Sequence, residues 1–172
     1  PTAYSSARRR TVRFRFYFFH LKMNYIQKQM TSRILITGTT SIHGFPVYEY
    51  FKRKRSFSVR GIRSPKMNVP SDPIVTPLCI TDRKGLLKIK QQFNPAYVIH
   101  CAGVCDLDVC EERPQWAEQL NVHGAKAILD IFGESSHIMY LSSDLVYSGN
   151  TPAAGGYREL HTPDPVSVAG NT

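Results

Sequence analysis

The sequence predicts an α/β fold in which a parallel sheet is covered by helices on both faces. Short apolar runs typical of buried strands alternate along the chain with longer segments of helical periodicity. A turn rich in Gly and Thr follows the first apolar run, in the stretch RILITGTTSIHG from Arg33 to Gly44. At 172 residues the chain is long enough to form one domain with its own core.

The first half of the chain supplies three strands and one helix of this pattern. RILIT is a buried strand that Gly38 stops. The segment GFPVYEYFKRK is a helix with Phe45, Tyr48 and Phe51 on one side and a proline tolerated in its first turn. SFSVRGIR is the second strand and ends before Ser-Pro, and DPIVTPLCI contains a short third strand.

The second half continues the alternation. TDRKGLLKIKQQF begins with capping residues and is predicted to be a helix, and AYVIHCAG is the fourth strand. PQWAEQLNVHGAKAILDIF is a long helix with a proline in its first turn, and its core candidates are Trp116, Leu120, Ile128 and Leu129. HIMYLSS is the fifth strand, and a loop rich in Gly and Pro follows it.

The net charge of +9 is concentrated at the start of the chain. Residues 1–29 contain seven basic and no acidic side chains, whereas residues 30–172 contain 15 basic and 13 acidic ones. We therefore divide the chain into a basic extension and a folded domain whose near-neutral charge does not imply a nucleic-acid surface. The extension is interpreted as an upstream segment outside the folded domain; a transit peptide and a nucleic-acid arm are the alternatives. Its apolar run is too short to span a bilayer.

The four cysteines do not have the spacing of a metal site. They lie at Cys79, Cys101, Cys105 and Cys110, without a C-x-x-C pair or a second cluster. We expect free thiols, no metal, and a reducing, cytoplasmic compartment.

Residues with chemical function fall at the predicted carboxyl ends of four strands. The Gly/Thr turn follows strand one, Arg63 ends strand two, the Cys101–Gly103 segment ends strand four, and the Ser142–Asp144 segment ends strand five. In open parallel sheets, ligands bind beyond these ends, where the winding reverses. We therefore expect a ligand site at this edge of the sheet.

The turn after strand one has the pattern of a pyrophosphate-binding fingerprint with one departure. Gly38 allows the tight turn, Gly44 allows close packing of the helix on the sheet, and the amides at the helix start can face an anion. Ser41 occupies the position where the middle glycine is usual. Its Cβ crowds a phosphate and its hydroxyl can bond one, so we expect weakened binding. The pattern alone fits a purely structural turn equally well.

Four stretches together resemble a known family. ILITGTTSIHG, VIHCAGVCDLDVCEERPQWAEQLNVHGA, MYLSSDLVYSG and YRELHTPDPVSVAG are similar to the extended short-chain dehydrogenases. Within these they resemble the dTDP-4-dehydrorhamnose reductase branch, which includes the regulatory subunit of methionine adenosyltransferase. The resemblance runs from Arg33 to Thr172 in order and spacing. It implies a Rossmann-type doubly wound sheet, a nicotinamide dinucleotide cofactor and an ancestral oxidoreductase activity on a nucleotide-linked keto-sugar.

The resemblance also implies roles for individual residues. Ser143 would polarise the substrate carbonyl with Asp144 beside it, and Asn121 would support the active site from the long helix. Each of these residues is also a common cap or local hydrogen-bonding residue. The cofactor would be held by the glycine turn and the end of strand four, that is, by Gly38, Thr40, Ser41, Ile42, Gly44, Cys101, Ala102 and Gly103.

The end of strand two bears on the type of cofactor. A carboxylate there would hold the ribose hydroxyls of NAD and repel the 2′-phosphate of NADP. The segment SVRGIRS contains no carboxylate; Ile62 takes the position, followed by Arg63, with Arg60 nearby. A guanidinium suits a phosphate, which favours NADP over NAD. The alternative is that Arg63 is a solvated loop residue.

The last stretch resembles the family segment P-x-x-x-Y-G-x-x-K but departs from it at the proton donor. Aligning Pro165 and Gly170 puts Ala169 at the Tyr position, and the Lys would fall at 173. A methyl group transfers no proton, and loss of a general acid costs about 10²–10⁴-fold in rate. We expect a fragment or diverged remnant, with an incomplete sheet, that binds a dinucleotide weakly and turns over no keto-sugar. The alternative is a non-catalytic regulatory subunit that associates with a partner enzyme or with itself.

Overall fold

The computed structural model of the protein describes residues 31–150 and 156–172. The predicted basic extension, residues 1–29, lies outside the described residues. No helix within the described part has the length and apolar character needed to cross a membrane.

Five strands and the connecting helices follow the predicted alternation. In chain order they are β1 (Ser32–Thr37), α1 (Gly44–Lys52), β2 (Phe57–Arg63), β3 (Val75–Pro77), α2 (Arg83–Phe93), β4 (Tyr97–His100), α3 (Leu107–Glu112), α4 (Pro114–Glu118), a π-helical turn (Gln119–His123), α5 (Gly124–Phe132), β5 (His137–Tyr140), a 3₁₀ turn (Asp144–Val146) and α6 (Val168–Asn171).

The strands form one parallel sheet in the order β3-β2-β1-β4-β5. The chain winds outward from β1 to β3 and then crosses to β4, so the direction of winding reverses between β1 and β4. This is the doubly wound arrangement that the sequence predicts, and it opens a crevice at the carboxyl ends of β1 and β4.

Each face of the sheet carries its own core. Alternate residues of one strand point to opposite faces, so Leu35 and Ile36 of β1 belong to different clusters. The larger cluster packs α2 and α5 on the sheet and contains Leu35, Ile62, Ile80, Leu86, Ile89, Phe93, Val98, Ala127, Ile128, Ile131 and Phe132. The smaller cluster lies under α1 and contains Ile34, Ile36, Tyr48, Val59 and Ile99.

Two of the predictions of buried residues on the long helical segment are wrong. Trp116 is 40% exposed and Leu129 is 62% exposed, whereas Ile128 is buried. The buried stripe includes small residues such as Gly124, where a Cβ would lie 2.7 Å from Cγ2 of Ile80 in the connection between β3 and α2. A pattern read from large apolar residues misses this stripe.

Helix α3 is an element that the sequence interpretation missed. Asp106 caps it by accepting a hydrogen bond from the Val109 N–H at 3.0 Å, and Cys110 is fully buried on it. The signal in the sequence was Asp106 three residues before Val109, because an N-cap side chain accepts a hydrogen bond from the N–H three positions on.

Candidate functional site

The turn after β1 presses directly against the end of β4. Gly38 has φ +68°, and a Cβ there would lie 2.6 Å from the carbonyl oxygen of Cys101. A Cβ on Gly44 would lie only 2.1 Å from the carbonyl oxygen of Gly38. No side chain fits at either position without a backbone shift. The two glycines therefore provide the tight turn and the close packing expected from the sequence.

Ser41 closes this turn from the inside. Its hydroxyl accepts a hydrogen bond from the Gly44 N–H at 2.9 Å and lies 3.4 Å from the Cys101 carbonyl oxygen, to which it donates. The hydroxyl that we considered as a phosphate ligand is thus engaged within the protein.

The backbone around Ser41 remains available to an anion. Ile42 has an 87% exposed side chain, and in the described structure the N–H groups of Ile42 and His43 have no backbone acceptor. Both precede helix α1, where N–H groups and the helix dipole favour a negative charge. Thr40 is half-buried beside them. This turn has the features of a phosphate cradle.

A buried Thr–His pair fixes the backbone at the end of β4. The Thr37 hydroxyl oxygen accepts hydrogen bonds from the N–H groups of Cys101 and Ala102, both at 3.2 Å. Its proton is therefore donated to Nδ1 of His100, 2.7 Å away. These bonds replace the strand ladder, which explains why β4 ends three residues before the predicted end at Gly103.

His100 is held neutral in this arrangement. Burial lowers its pKa to about 4. Because Nδ1 accepts the Thr37 proton, the ring hydrogen lies on Nε2, which has no hydrogen-bond partner among the described residues. The sequence interpretation missed this pair. The signal was a polar residue at the end of each of two apolar strands.

Cys101, directly after β4, is not activated as a nucleophile. Cys101 is half-buried, and burial raises the pKa of its thiol, which keeps it protonated. Ala102 is half-buried and Gly103 is exposed. These three residues form a lining of backbone and small side chains beside the glycine turn.

Asn121 connects the π-helical turn to the loop after β4. Its Oδ1 accepts from the Val104 N–H at 2.8 Å, and its Nδ2 donates to the Val104 carbonyl at 2.9 Å and to the Thr172 hydroxyl at 3.0 Å. Asn121 is 7% exposed, and a Cβ on Gly103 would lie 3.1 Å from its Oδ1. The side chain therefore holds the loop after β4 against the helical segment; its role in an active site stays a prediction.

Ser143 and Asp144 lie at the end of β5, and both are exposed. The Ser143 hydroxyl caps the 3₁₀ turn by accepting from the Leu145 N–H at 3.2 Å. Helix α6, which contains the half-buried Ala169, packs on this turn so closely that a Cβ on Gly170 would lie 2.3 Å from the Leu145 carbonyl oxygen. The structure thus brings the Ser143 segment and the Ala169 helix together.

Arg63 faces a cavity of about 410 Å³ beside the glycine turn. Its Nη1 donates to the carbonyl oxygens of Ser64, at 3.1 Å, and Met67, at 3.0 Å. Arg60 belongs to the other face of the sheet, where its guanidinium lies 5.1 Å from the ring centroid of Phe93. Of the two arginines of β2, Arg63 is therefore the one that lines a space at the crevice.

The same cavity contains carboxylates that strand two lacks. Glu49 of α1 and Asp72 of the loop before β3 line it together with Thr39 and Thr40. The sequence interpretation considered acidic residues only at the end of β2 and missed both. Folding of the β2–β3 loop brings Asp72 to the cavity from nine residues beyond Arg63.

Comparisons with known proteins agree with this architecture. A family model described as RmlD substrate binding domain matches residues 32–172. Methionine adenosyltransferase 2 subunit beta of Xenopus tropicalis is 33% identical over 141 residues, which are 81% of this chain and 40% of that protein. The chain thus spans about 40% of the length of this curated relative.

Solved structures share the fold at lower identity. A dTDP-4-dehydrorhamnose reductase from Bacillus anthracis in complex with NADP has a TM-score of 0.67 and 24% identity, over 83% of this chain and 46% of that one. A UDP-glucose 4-epimerase from Brucella ovis in complex with NAD has a TM-score of 0.72 and 17% identity, over 81% and 44%.

The doubly wound sheet and the glycine turn with its supporting contacts, together with the match over residues 32–172, lead to one assignment. The chain belongs to the RmlD-like family of extended short-chain dehydrogenases.

Proposed function

We propose that this chain binds a nicotinamide dinucleotide in the crevice between β1 and β4, with NADP preferred over NAD. The observation that carries the proposal is the turn between Gly38 and Gly44, which touches the end of β4 and leaves the N–H groups of Ile42 and His43 available for a pyrophosphate. The Cys101–Gly103 segment would line the nicotinamide side. Two solved relatives of this fold hold NADP and NAD, which supports the class of ligand.

The preference for NADP rests on Arg63. Its side chain lines the cavity next to Thr39 and Thr40, at the outer side of the turn, and only Nη1 is engaged in described hydrogen bonds. The remaining guanidinium donors can bind a 2′-phosphate. We do not extend this role to Arg60, which packs on Phe93.

Two matched arginine variants test the cofactor proposal. Isothermal titration calorimetry with NADP and NAD is expected to detect both ligands, with NADP tighter. Arg63→Met should weaken NADP about five- to tenfold and leave NAD nearly unchanged, because only the 2′-phosphate loses a partner. Arg60→Met, on the other face of the same strand, should change neither. Absence of binding to either dinucleotide by the unmodified chain would refute the proposal.

For chemistry, we propose that the site retains part of a keto-reductase centre without its proton donor. Ser143, Asp144 and Asn121 are the candidate carbonyl-side residues, and Ala169 offers only a methyl group where the family segment has Tyr. We expect no oxidation of NADPH in the presence of a dTDP-4-keto-sugar. Turnover that disappears in Ser143→Ala would overturn this part of the proposal, since the loss would exclude a contaminating enzyme.

The alternative function is that of a non-catalytic subunit. It is favoured by the curated relatives named methionine adenosyltransferase 2 subunit beta and by Ala169 at the proton-donor position. Co-elution of the chain with a methionine adenosyltransferase catalytic subunit in size-exclusion chromatography tests it. Separate elution at micromolar concentrations of both proteins would exclude a stable complex.

A further inference from the structure

The loop between β2 and β3 places a fully bonded carboxylate against helix α1. Oδ2 of Asp72 accepts hydrogen bonds from the Tyr48 hydroxyl at 2.6 Å and from Nζ of Lys52. Oδ1 accepts from the Ile74 N–H at 3.1 Å. Tyr48 is 4% exposed, so the contact joins the loop to the core under α1.

The charge states of this cluster are fixed at neutral pH. The hydrogen bonds from Lys52 and Tyr48 lower the pKa of Asp72 to about 2, so the carboxylate is ionised. Burial, followed by the hydrogen bond to Asp72, raises the pKa of Tyr48, so the phenol stays a neutral donor. Asp72 is therefore a permanent anion, and Lys52 is the cation in direct contact with it.

The second carboxylate of the cavity is compensated in a similar way. Glu49 pairs with Arg53 at 3.1 Å and lies 3.9 Å from Nζ of Lys52. Lys52 thus serves both acidic residues that line the cavity, and it is the cation that they share. Without Lys52, Glu49 would keep its pair with Arg53, but Asp72 would lose its cationic partner.

An anion at this place decides between the two dinucleotides. A carboxylate near the adenosine ribose binds its hydroxyls and repels a 2′-phosphate, which favours NAD. Asp72 lines the same cavity as Arg63, the proposed partner of the 2′-phosphate, and Lys52 compensates its charge. We infer that Lys52 is a specificity-determining residue: by neutralising Asp72 it keeps the cavity open to the 2′-phosphate of NADP. This inference rests on the proposed dinucleotide site.

Three variants separate this role from a structural one. Lys52→Met should lower the ratio of NADP affinity to NAD affinity about fivefold, since the negative charge of Asp72 then acts on the 2′-phosphate without a compensating cation. Asp72→Asn should raise the same ratio. In the double variant, Lys52→Met should no longer lower the ratio, because the charge that it unmasks is gone. Lys52→Arg should keep the unmodified ratio.

A matched lysine control, together with affinity and unfolding measurements, distinguishes an effect on cofactor selectivity from a loss of structure. Lys54→Met is the matched control, because Lys54 lies 4.7 Å from the Tyr50 ring centroid and, in the described part of the chain, forms no ion pair with Asp72 or Glu49. Both affinities are measured by calorimetry at low and at physiological salt, with thermal unfolding of each variant. An unchanged ratio in Lys52→Met or Asp72→Asn, or equal weakening of both ligands, overturns the inference alone. If the unmodified chain binds neither dinucleotide, the proposed function fails and the inference fails with it.

Discussion

The buried imidazole of His100 makes the stability of this fold depend on pH in a defined window. The ring accepts a hydrogen bond from Thr37 at Nδ1 and lies 5.4 Å from the ring of Tyr140. Its residue exposure is 1%, and burial lowers its pKa from the ordinary 6.5 to about 4. Protonation at Nδ1 would also remove the acceptor that Thr37 uses.

The direction of the change in stability with pH follows from the pKa of His100 in the unfolded state. There the imidazole regains its ordinary pKa, so between pH 6.5 and pH 4 the unfolded chain binds a proton that the folded chain does not. His100 therefore leaves stability unaffected above pH 6.5 and reduces it as pH falls toward 4. The slope is at most about 1.4 kcal/mol per pH unit, and the whole window amounts to about 3 kcal/mol.

Urea unfolding followed by circular dichroism at pH 7.5, 6, 5 and 4.5 measures this slope. His100→Asn is the comparison, because its side chain keeps an acceptor for Thr37 but does not titrate. We expect it to be less stable at pH 7.5 by about 1–3 kcal/mol, through lost packing, and to have a flatter pH dependence. Equal slopes in the two proteins, or a pH-independent unmodified chain, would show that the reasoning about His100 is wrong.

Three further substitutions test the geometry of the crevice. Gly44→Ala places a Cβ 2.1 Å from the carbonyl oxygen of Gly38 and should lower the free energy of unfolding by more than about 3 kcal/mol, measured by chemical denaturation. Gly103→Ala is its control and should cost far less, because the nearest atom to its Cβ lies at 3.1 Å. Asn121→Leu removes the partner of the half-buried Val104 N–H and one of the two donors to its carbonyl oxygen, and should cost about 1–3 kcal/mol. The exposed Gln119→Leu on the same turn is its control. Ser41→Gly removes two hydrogen bonds and a crowding Cβ, so unfolding should become easier by about 1 kcal/mol while dinucleotide affinity rises; a fall in affinity would identify the hydroxyl as a ligand.

The alternation of strands and helices and the place of the crevice could be predicted because they depend on local patterns. Apolar runs such as RILIT are buried wherever they occur in a sheet covered on both faces, and Gly38 and Gly44 report backbone constraints that no other residue satisfies. The boundary of β4 could not be predicted in this way. It depends on the Thr37 hydroxyl, which accepts the hydrogen bonds of the Cys101 and Ala102 N–H groups in place of a strand partner. These residues lie 64 and 65 positions away from Thr37 in the sequence.

The prediction of core residues on the long helical segment was partly wrong for a related reason. Large apolar residues mark a helix face well when packing is loose, but the segment around Gly124 lies so close to Ile80 that small residues are needed there. Trp116 and Leu129 lie toward solvent instead. Burial depends on how closely a helix approaches the segments packed against it, and single-residue hydrophobicity does not encode that distance.

The cofactor argument shows the same limit at the level of charge. The absence of a carboxylate in SVRGIRS favoured NADP, yet the structure brings Asp72 and Glu49 to the cavity that Arg63 lines. The expectation of NADP requires that the charges of Asp72 and Glu49 be compensated. The contacts of Lys52 and Arg53 with them supply that compensation. In the proposed site, selectivity for a 2′-phosphate would therefore depend on the whole cavity wall, and we expect it to change with Lys52, a residue that need not touch the ligand.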